Sequence, residues 1–305
     1  MKITSFAMKS TALHWMAALG LAMPLCCAAQ ADWPNKPIHF IVPFSAGGAN
    51  DLMGRAAAEG AGKALGQTVV VDNRPGAGGS LGASLVAKSA PDGYTFLISA
   101  AGTISNTMIK ASVPYKDEDL LPVALIALAP SMIVVPHTSK HQNLKDFIEA
   151  SKRGNGFNFA TAGSGSTPHF VAEILNVKYG AKLQPVPYKS GSESTTAVMG
   201  GQVEGTSEAS IIALPHILHD GKFKALATTW TQRLSAYPQL PTAIEQGYPE
   251  VKIAHWAGVH APKGTPTEIM DKVAAAVDQA MKDPAISQRL KSVGIEPMGG
   301  SRADF

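Results

Sequence analysis

From Pro37 onward, short apolar, β-branched runs alternate with stretches whose apolar residues recur at helical spacing, the pattern of an α/β chain with a mainly parallel sheet. Residues 38–43 read as a buried strand running into Ser45-Ala46-Gly47-Gly48. A helix is predicted from about residue 50 to 65, with Ala49 or Asn50 near its cap. Residues 68–71 form the next strand, closed by Asn73-Arg74-Pro75-Gly76-Ala77-Gly78-Gly79 and a helix over 81–89. Pro91-Asp92-Gly93 turns the chain into a third strand at 94–99. Together these make two consecutive βαβ units.

Residues 123–135 are almost wholly apolar and too long for one ordinary strand. They read either as a strand pair or as one strand passing between two domains, and the first crossing is placed there. A helix at 143–152 and a strand at 157–162 restart the alternation, followed by a second glycine turn, Gly163-Ser164-Gly165-Ser166, and a helix over 168–179 with Pro168 in its first turn. Further strands are expected at 183–187 and 223–228, with a helix at 194–199 between them. Residues 251–261 look extended and cross back, before a helix capped by Thr265, with Pro266 at its first position, runs to Met281. The expected division is a leader at 1–31, a first lobe at 32–126 and 251–305, and a second lobe at 127–250. The two crossings would serve as a hinge. Ser301 looks like the cap of a further helix, so the sequence is expected to be truncated at Phe305.

The first 31 residues hold no Asp or Glu, carry Lys2 and Lys9, and run apolar from Thr11 to Ala29, as a secretory signal does. Ala29-Gln30-Ala31 supplies small residues for cleavage after Ala31, which places the mature protein in the periplasm. Both cysteines, Cys26 and Cys27, fall inside this segment, so disulfides and thiolate chemistry are excluded from the mature chain. Lipid modification at Cys26 or Cys27 is disfavoured by the preceding Met23-Pro24-Leu25. Of 26 Lys and Arg, Lys2 and Lys9 lie in the leader, leaving 24 against 23 Asp and Glu. That balance, without a basic stripe, argues against nucleic acid.

The candidate chemistry lies in two Gly- and Ser-rich strand-to-helix turns, at 44–51 and 161–169. At such turns, backbone N–H groups without helical partners point outward at the positive end of the helix dipole, where an anion binds. Two facing turns would grip a carboxylate. Taken singly, each is first explained as a tight turn that needs glycine. Residues 76–82 depart from the dinucleotide spacing and lack the acid that would hold a ribose. Ser164 and His169 invite a serine hydrolase reading, but Thr161 stands where G-x-S-x-G has its first glycine. The nine histidines show no compact metal spacing, and no metal or cofactor is expected. Glu208 is placed to face a cleft, attracting an amine or amide or repelling a second anion. Trp256 is the aromatic candidate for packing on a ligand, with a core role the alternative.

At these residues the sequence resembles the Bug-type (TctC-like) periplasmic receptors of tripartite tricarboxylate transporters. The matching stretches include PFSAGGANDLMGR at 43–55, VVVDNRPGAGGSLGASLVA at 69–87, APDGYTFL at 90–97, ATAGSGSTPHFVAEIL at 160–175, VPYKSG at 186–191, GGQVEG at 200–205, ALPHI at 213–217 and APKGTP at 261–266. The resemblance implies a type II periplasmic-binding-protein fold of two α/β lobes, no enzyme activity, and a carboxylate held in the cleft by backbone amides. Carried over by position, the first anion loop is Phe44, Ser45, Ala46, Gly47, Gly48 and Asp51, with Ser99 and Asn106 beside it. The second is Thr161, Ala162, Gly163, Ser164, Ser166 and His169. The implied partners are a small organic carboxylate and the membrane permease of the transporter, with the receptor a monomer; a periplasmic sensing subunit is the alternative. Relatives often carry Asp-Asn where this chain has Glu208-Ala209, and usually end in one more helix.

Overall fold

The computed structural model describes residues 33–109 and 111–305. The expected leader, its cleavage point and both cysteines lie outside these residues. In chain order the elements are β1 (Ile38–Val42), α1 (Ala49–Leu65), β2 (Val69–Asn73), α2 (Ser80–Ala87), β3 (Thr95–Ser99) and α3 (Ala101–Ile109). A long strand β4 (Leu120–Pro136) then leads to α4 (Leu144–Ser151), β5 (Phe157–Thr161), α5 (Thr167–Tyr179), β6 (Leu183–Pro187), α6 (Gly191–Met199), β7 (Gly205–Ala209), α7 (Ser210–Leu218) and β8 (Phe223–Thr228). β9 (Ala254–Pro262), α8 (Thr267–Lys282), α9 (Pro284–Lys291) and the short β10 (Glu296–Pro297) follow.

The strands run in the order β2-β1-β3-β9-β4-β7-β5-β6, with β8 and β10 also pairing with β4. β1 lies parallel between β2 and β3, and β5 lies parallel between β6 and β7. The same arrangement is thus built twice. In each copy the chain leaves the central strand to one side and returns to the other, which opens a crevice beyond that strand's carboxyl end. The two glycine turns sit at these equivalent points.

β4 explains the long apolar run. It is one strand with two sets of partners: Leu120 to Pro130 pair with β9, whereas Ser131 to Val134 pair with β7 and Met132 to Pro136 with β8. Pro130 has no N–H to give a ladder, so it suits the place where the partners change. Every residue of β4 from Ala129 to Val135 except Pro130 and Ser131 contributes a fully buried apolar side chain. One core gathers Phe40, Ile98, Ile126, Val259 and Val277. Another gathers Phe147, Phe159, Leu175 and Leu226.

The elements differ from expectation in several places: β7 and α7 form between 205 and 218, where no strand or helix was predicted, and α6 starts at Gly191 rather than at 194. α3 (Ala101–Ile109) forms in a stretch for which no element was predicted. α9 starts at Pro284, capped by Asp283, whose carboxylate accepts from the Ala285 and Ile286 amides at 2.9 and 3.1 Å. α8 begins one residue later than the Thr265 cap predicts: Thr265 donates to the Pro262 carbonyl at 2.8 Å instead, and Pro266 takes the N-cap position. Ser301 and Asp304 make a capping box, but around a single turn of 3-10 helix. Among the described residues no helix is long and apolar enough to cross a membrane.

Candidate functional site

The chain leaves β1 through Phe44 and enters α1 at Gly48, an extended N-cap residue that brings no side chain to the first-turn amides. Gly47 has φ +79, in the left-handed region that favours glycine. Its N–H is taken by Asp51, whose Oδ2 accepts from Gly47 N at 2.9 Å and from Arg55 Nε at 3.0 Å. Asp51 Oδ1 accepts from Asn73 Nδ2 at 2.9 Å, and the same amide donates to the Phe44 carbonyl at 3.0 Å. Burial raises the Asp51 pKa, but the Arg55, Gly47 and Asn73 hydrogen bonds and the Arg55 charge outweigh it and hold the carboxyl below its ordinary value. The amides of Ala49 and Asn50 are left facing outward.

The second turn is built alike. Gly163 and Gly165 have φ +95 and +77. Ser166 is the N-cap of α5 but turns its hydroxyl back to the Gly163 carbonyl at 2.6 Å, so it does not cap the helix. Thr161 Oγ1 accepts from Gly163 N at 3.3 Å, and His169 Nδ1 accepts from Gly165 N at 3.3 Å. Pro168 has no N–H, which leaves the Thr167 amide as the forward donor of this turn.

Both helix starts line one hollow of about 30 Å³. Gly48, Ala49 and Asn50 come from the α1 side, Ser166, Thr167 and Pro168 from the α5 side. Ala101 and Gly102 of α3, Gly191 of α6, and Glu208 near the end of β7 complete the wall, so the starts of four helices, α1, α3, α5 and α6, converge there. Each helix start favours a nearby anion by about 0.3–1 kcal/mol. The halves touch across this space. Ser105 Oγ donates to the Gly165 carbonyl at 3.2 Å, and a Cβ at Gly163 would lie 3.1 Å from Gly78 Cα.

Glu208 is 1% exposed. Its Oε1 accepts from the Ala209 amide at 3.0 Å, while Oε2 is buried without a protein partner. Burial pushes its pKa up to about 7, opposed by the Ala209 bond. His255 also lines the hollow, with Nε2 buried and unpartnered. Burial pushes its pKa down to about 4, against the Ser207 carbonyl, so the ring is neutral near pH 7. Trp256 lines the same space and packs edge-on against Phe305, with ring centroids 5.9 Å apart.

Of the residues predicted from sequence, Phe44, Gly48, Ala162, Ser166, Glu208 and Trp256 line this hollow. Gly163 and Ser164 line a separate, larger one of about 440 Å³. Ser45, Ala46, Gly47, Asp51, Ser99, Asn106, Thr161 and His169 line neither. Asp51 is engaged with Gly47 and Arg55. Ser99 donates to the Gly258 carbonyl at 3.0 Å and accepts from His260 Nδ1 at 2.8 Å. Asn106 holds the other glycine turn, donating to Gly78 O at 2.8 Å and Ser80 Oγ at 3.0 Å. These residues shape the loops from behind. No hydrogen bond joins Ser164 to His169 among the described residues, and the Nδ1 of His169 is occupied by Gly165, so no activated serine is assembled. Asn50, Thr167 and Gly191 fell within stretches the sequence reading quoted but were not singled out as lining residues, and His255 was missed altogether. Among the described residues no three His, Cys, Asp or Glu gather as metal ligands would.

The profile of the tripartite tricarboxylate transporter family receptor matches residues 53–305. Among solved structures, the periplasmic binding protein BugD is 32% identical, with a TM-score of 0.83 over 88% of this chain and 91% of that one. Rpa4515 of R. palustris, solved with adipate, is 32% identical, with a TM-score of 0.85 over 90% and 92%. MatC of Rhodopseudomonas palustris, solved with bound malate, is 30% identical, with a TM-score of 0.82 over 87% and 90%.

Proposed function

Because this chain belongs to the tripartite tricarboxylate transporter receptor family, whose members are periplasmic solute-binding proteins and not enzymes, we propose that it captures a small organic carboxylate and delivers it to the permease of such a transporter. The observation that carries the reading is the meeting of two uncapped helix starts, α1 and α5, at one hollow. Each charge-assisted hydrogen bond from their amides contributes roughly 1.5–3 kcal/mol, so a few such bonds would suffice for roughly micromolar binding without an arginine. The malate and adipate held by related proteins fit the same chemistry of an acid group on backbone amides.

A hollow of about 30 Å³ has room for little more than a water molecule. Solute entry therefore requires the two halves to part, and the chain segments joining them are the hinge. The halves are β1 to α3 with β9 to α9, and α4 to β8, with β4 shared between them. Ligand binding would then shift the population toward the shut form. Calorimetry of the purified protein against a panel of mono-, di- and tricarboxylates, with small-angle scattering of free and bound forms, tests this. Saturable binding of at least one acid with a smaller bound radius of gyration is expected. A protein that ignores every organic acid, or that binds one without compaction, would defeat the proposal.

A further inference from the structure

The hollow has two chemically unlike walls. The α1 and α5 starts offer amide donors. Facing them in the same space are Glu208 Oε2 and His255 Nε2, both buried and neither with a protein partner. A neutral imidazole whose proton sits on Nδ1 presents Nε2 as an acceptor, and a carboxylate is an acceptor through both oxygens. Glu208 already answers the positive end of α7 by taking the Ala209 amide, so that helix offers little to a second anion. Gly191 stands against both oxygens of the same carboxylate, its place for a Cβ falling closest to Oε2 and 2.6 Å from Oε1, so a solute reaches Oε2 only from the side that Gly191 leaves open.

Resting on the carboxylate reading above, we propose that the preferred solute is an amino-carboxylate, with its acid group on the first-turn amides of α1 and α5 and its ammonium group on Glu208 Oε2 and His255 Nε2. Leaving an ionised glutamate buried and unpaired is costly, and a cation of matched reach removes that cost. A dicarboxylate, in contrast, brings its second charge against Glu208. The raised pKa of Glu208 is consistent with this: in the free protein it titrates near neutral pH, and an ammonium ligand draws out its proton. No lysine or arginine lines the hollow to do so instead. The charged groups on the neighbouring elements are turned elsewhere, Asp51 of α1 to Gly47 and Arg55, and Glu193 of α6 to the Lys189 amide.

The test is calorimetry of the purified protein with two chain-length series, glycine to 5-aminovalerate and malonate to glutarate, in buffers of different ionisation enthalpy at pH 7. The best amino acid is expected to bind roughly 10- to 100-fold tighter than any dicarboxylate and to release protons on binding. Glu208→Gln should erase that preference while a dicarboxylate binds no worse, and His255→Ala should narrow it if Glu208→Gln fails to fold. Dicarboxylates binding as tightly as amino acids, or amino acids binding without proton release, would overturn the proposal and leave the carboxylate reading standing. Absence of binding to both series and to tricarboxylates would overturn both.

Discussion

Gly191, the first residue of α6, sits directly against the carboxylate of Glu208, so closely that a methyl group at position 191 would fall 2.6 Å from Oε1. The carboxylate therefore occupies its place in the hollow because α6 begins with a residue that has no side chain. Gly191→Ala must push Glu208 aside or shift the start of α6 within the same half. Overpacking of this kind costs about 1–3 kcal/mol, and binding of the cognate solute should weaken roughly 10-fold or more, with a smaller change in melting temperature. Unchanged affinity would show that Glu208 moves freely and does not read the solute.

Gly48 has φ −77, which any residue adopts, and a Cβ there meets only Ser45 O at 3.4 Å and Ser190 Cβ at 3.9 Å. The position accepts a side chain without strain. Gly48→Asp should leave the melting temperature nearly unchanged while placing a carboxylate on the α1 amides, where a helix N-cap aspartate belongs, and abolishing solute binding. Gly48→Ala is the control and should bind within a few-fold of the parent. Retained binding in Gly48→Asp would move the acid group's seat elsewhere.

Asp51 acts on the loop rather than the solute. Asp51→Ala leaves the Gly47 amide and the Asn73 side chain without their acceptor, at a cost of about 1–3 kcal/mol each, and should lower the melting temperature and weaken binding together. Asp51→Asn keeps an acceptor for Gly47 but loses the Arg55 ion pair and should lie between. Because its folded pKa is depressed, Asp51 stabilises the fold above pH 3.8, and that contribution is lost as pH falls through the lower, folded value. A binding defect in Asp51→Ala without a stability defect would contradict this role.

Three buried groups set opposing pH trends in the free protein. Glu208 is raised from 4.5 to about 7, so its contribution is present below pH 4.5 and is lost as pH rises toward 7. His255 and His260 are lowered from 6.5 to about 4 by burial, so theirs is present above pH 6.5 and is lost as pH falls toward 4. Shifts of this size correspond to on the order of 3 kcal/mol each. Melting curves should show that the stability of the parent relative to Glu208→Gln declines between pH 4.5 and 7. Relative to His260→Gln, it should decline from pH 6.5 to 4. A pH-independent difference in either pair would contradict the assignment.

The two parallel strand-turn-helix units and both glycine turns were legible because each rests on local sequence: β-branched runs, helical spacing, and glycines where φ is positive. The expectation of a mainly parallel sheet was wrong, because the long-range partners of β4 and β9 make five antiparallel pairings between those units against four parallel ones. The expected leader, read from its charges, its apolar run and Ala29-Gln30-Ala31, lies outside the described residues. The site was only partly legible. Gly48 and Ser166 announced two helix starts, but the α3 and α6 starts reach the same hollow through tertiary packing that no local pattern records. The motif at 186–191 ended on Gly191 without showing that it abuts Glu208. His255, next to the flagged Trp256, looked like one of nine scattered histidines, and only the fold sets it in the same space as Glu208. Asp51 lies in the turn it braces, whereas Asn106 reaches back to the turn at Gly78 and Ser99 bonds Gly258 and His260, so only partners distant in the chain show that these two support the site from behind.

The most direct test of the account is amide chemical-shift mapping of the ¹⁵N-labelled protein during titration with the tightest-binding carboxylate found by calorimetry. The Ala49, Asn50 and Thr167 amides, from the two opposed helix starts, should shift together and saturate at the same ligand concentration. Shifts confined to one half, or centred away from both starts, would contradict the claim that the two halves hold the acid group between them.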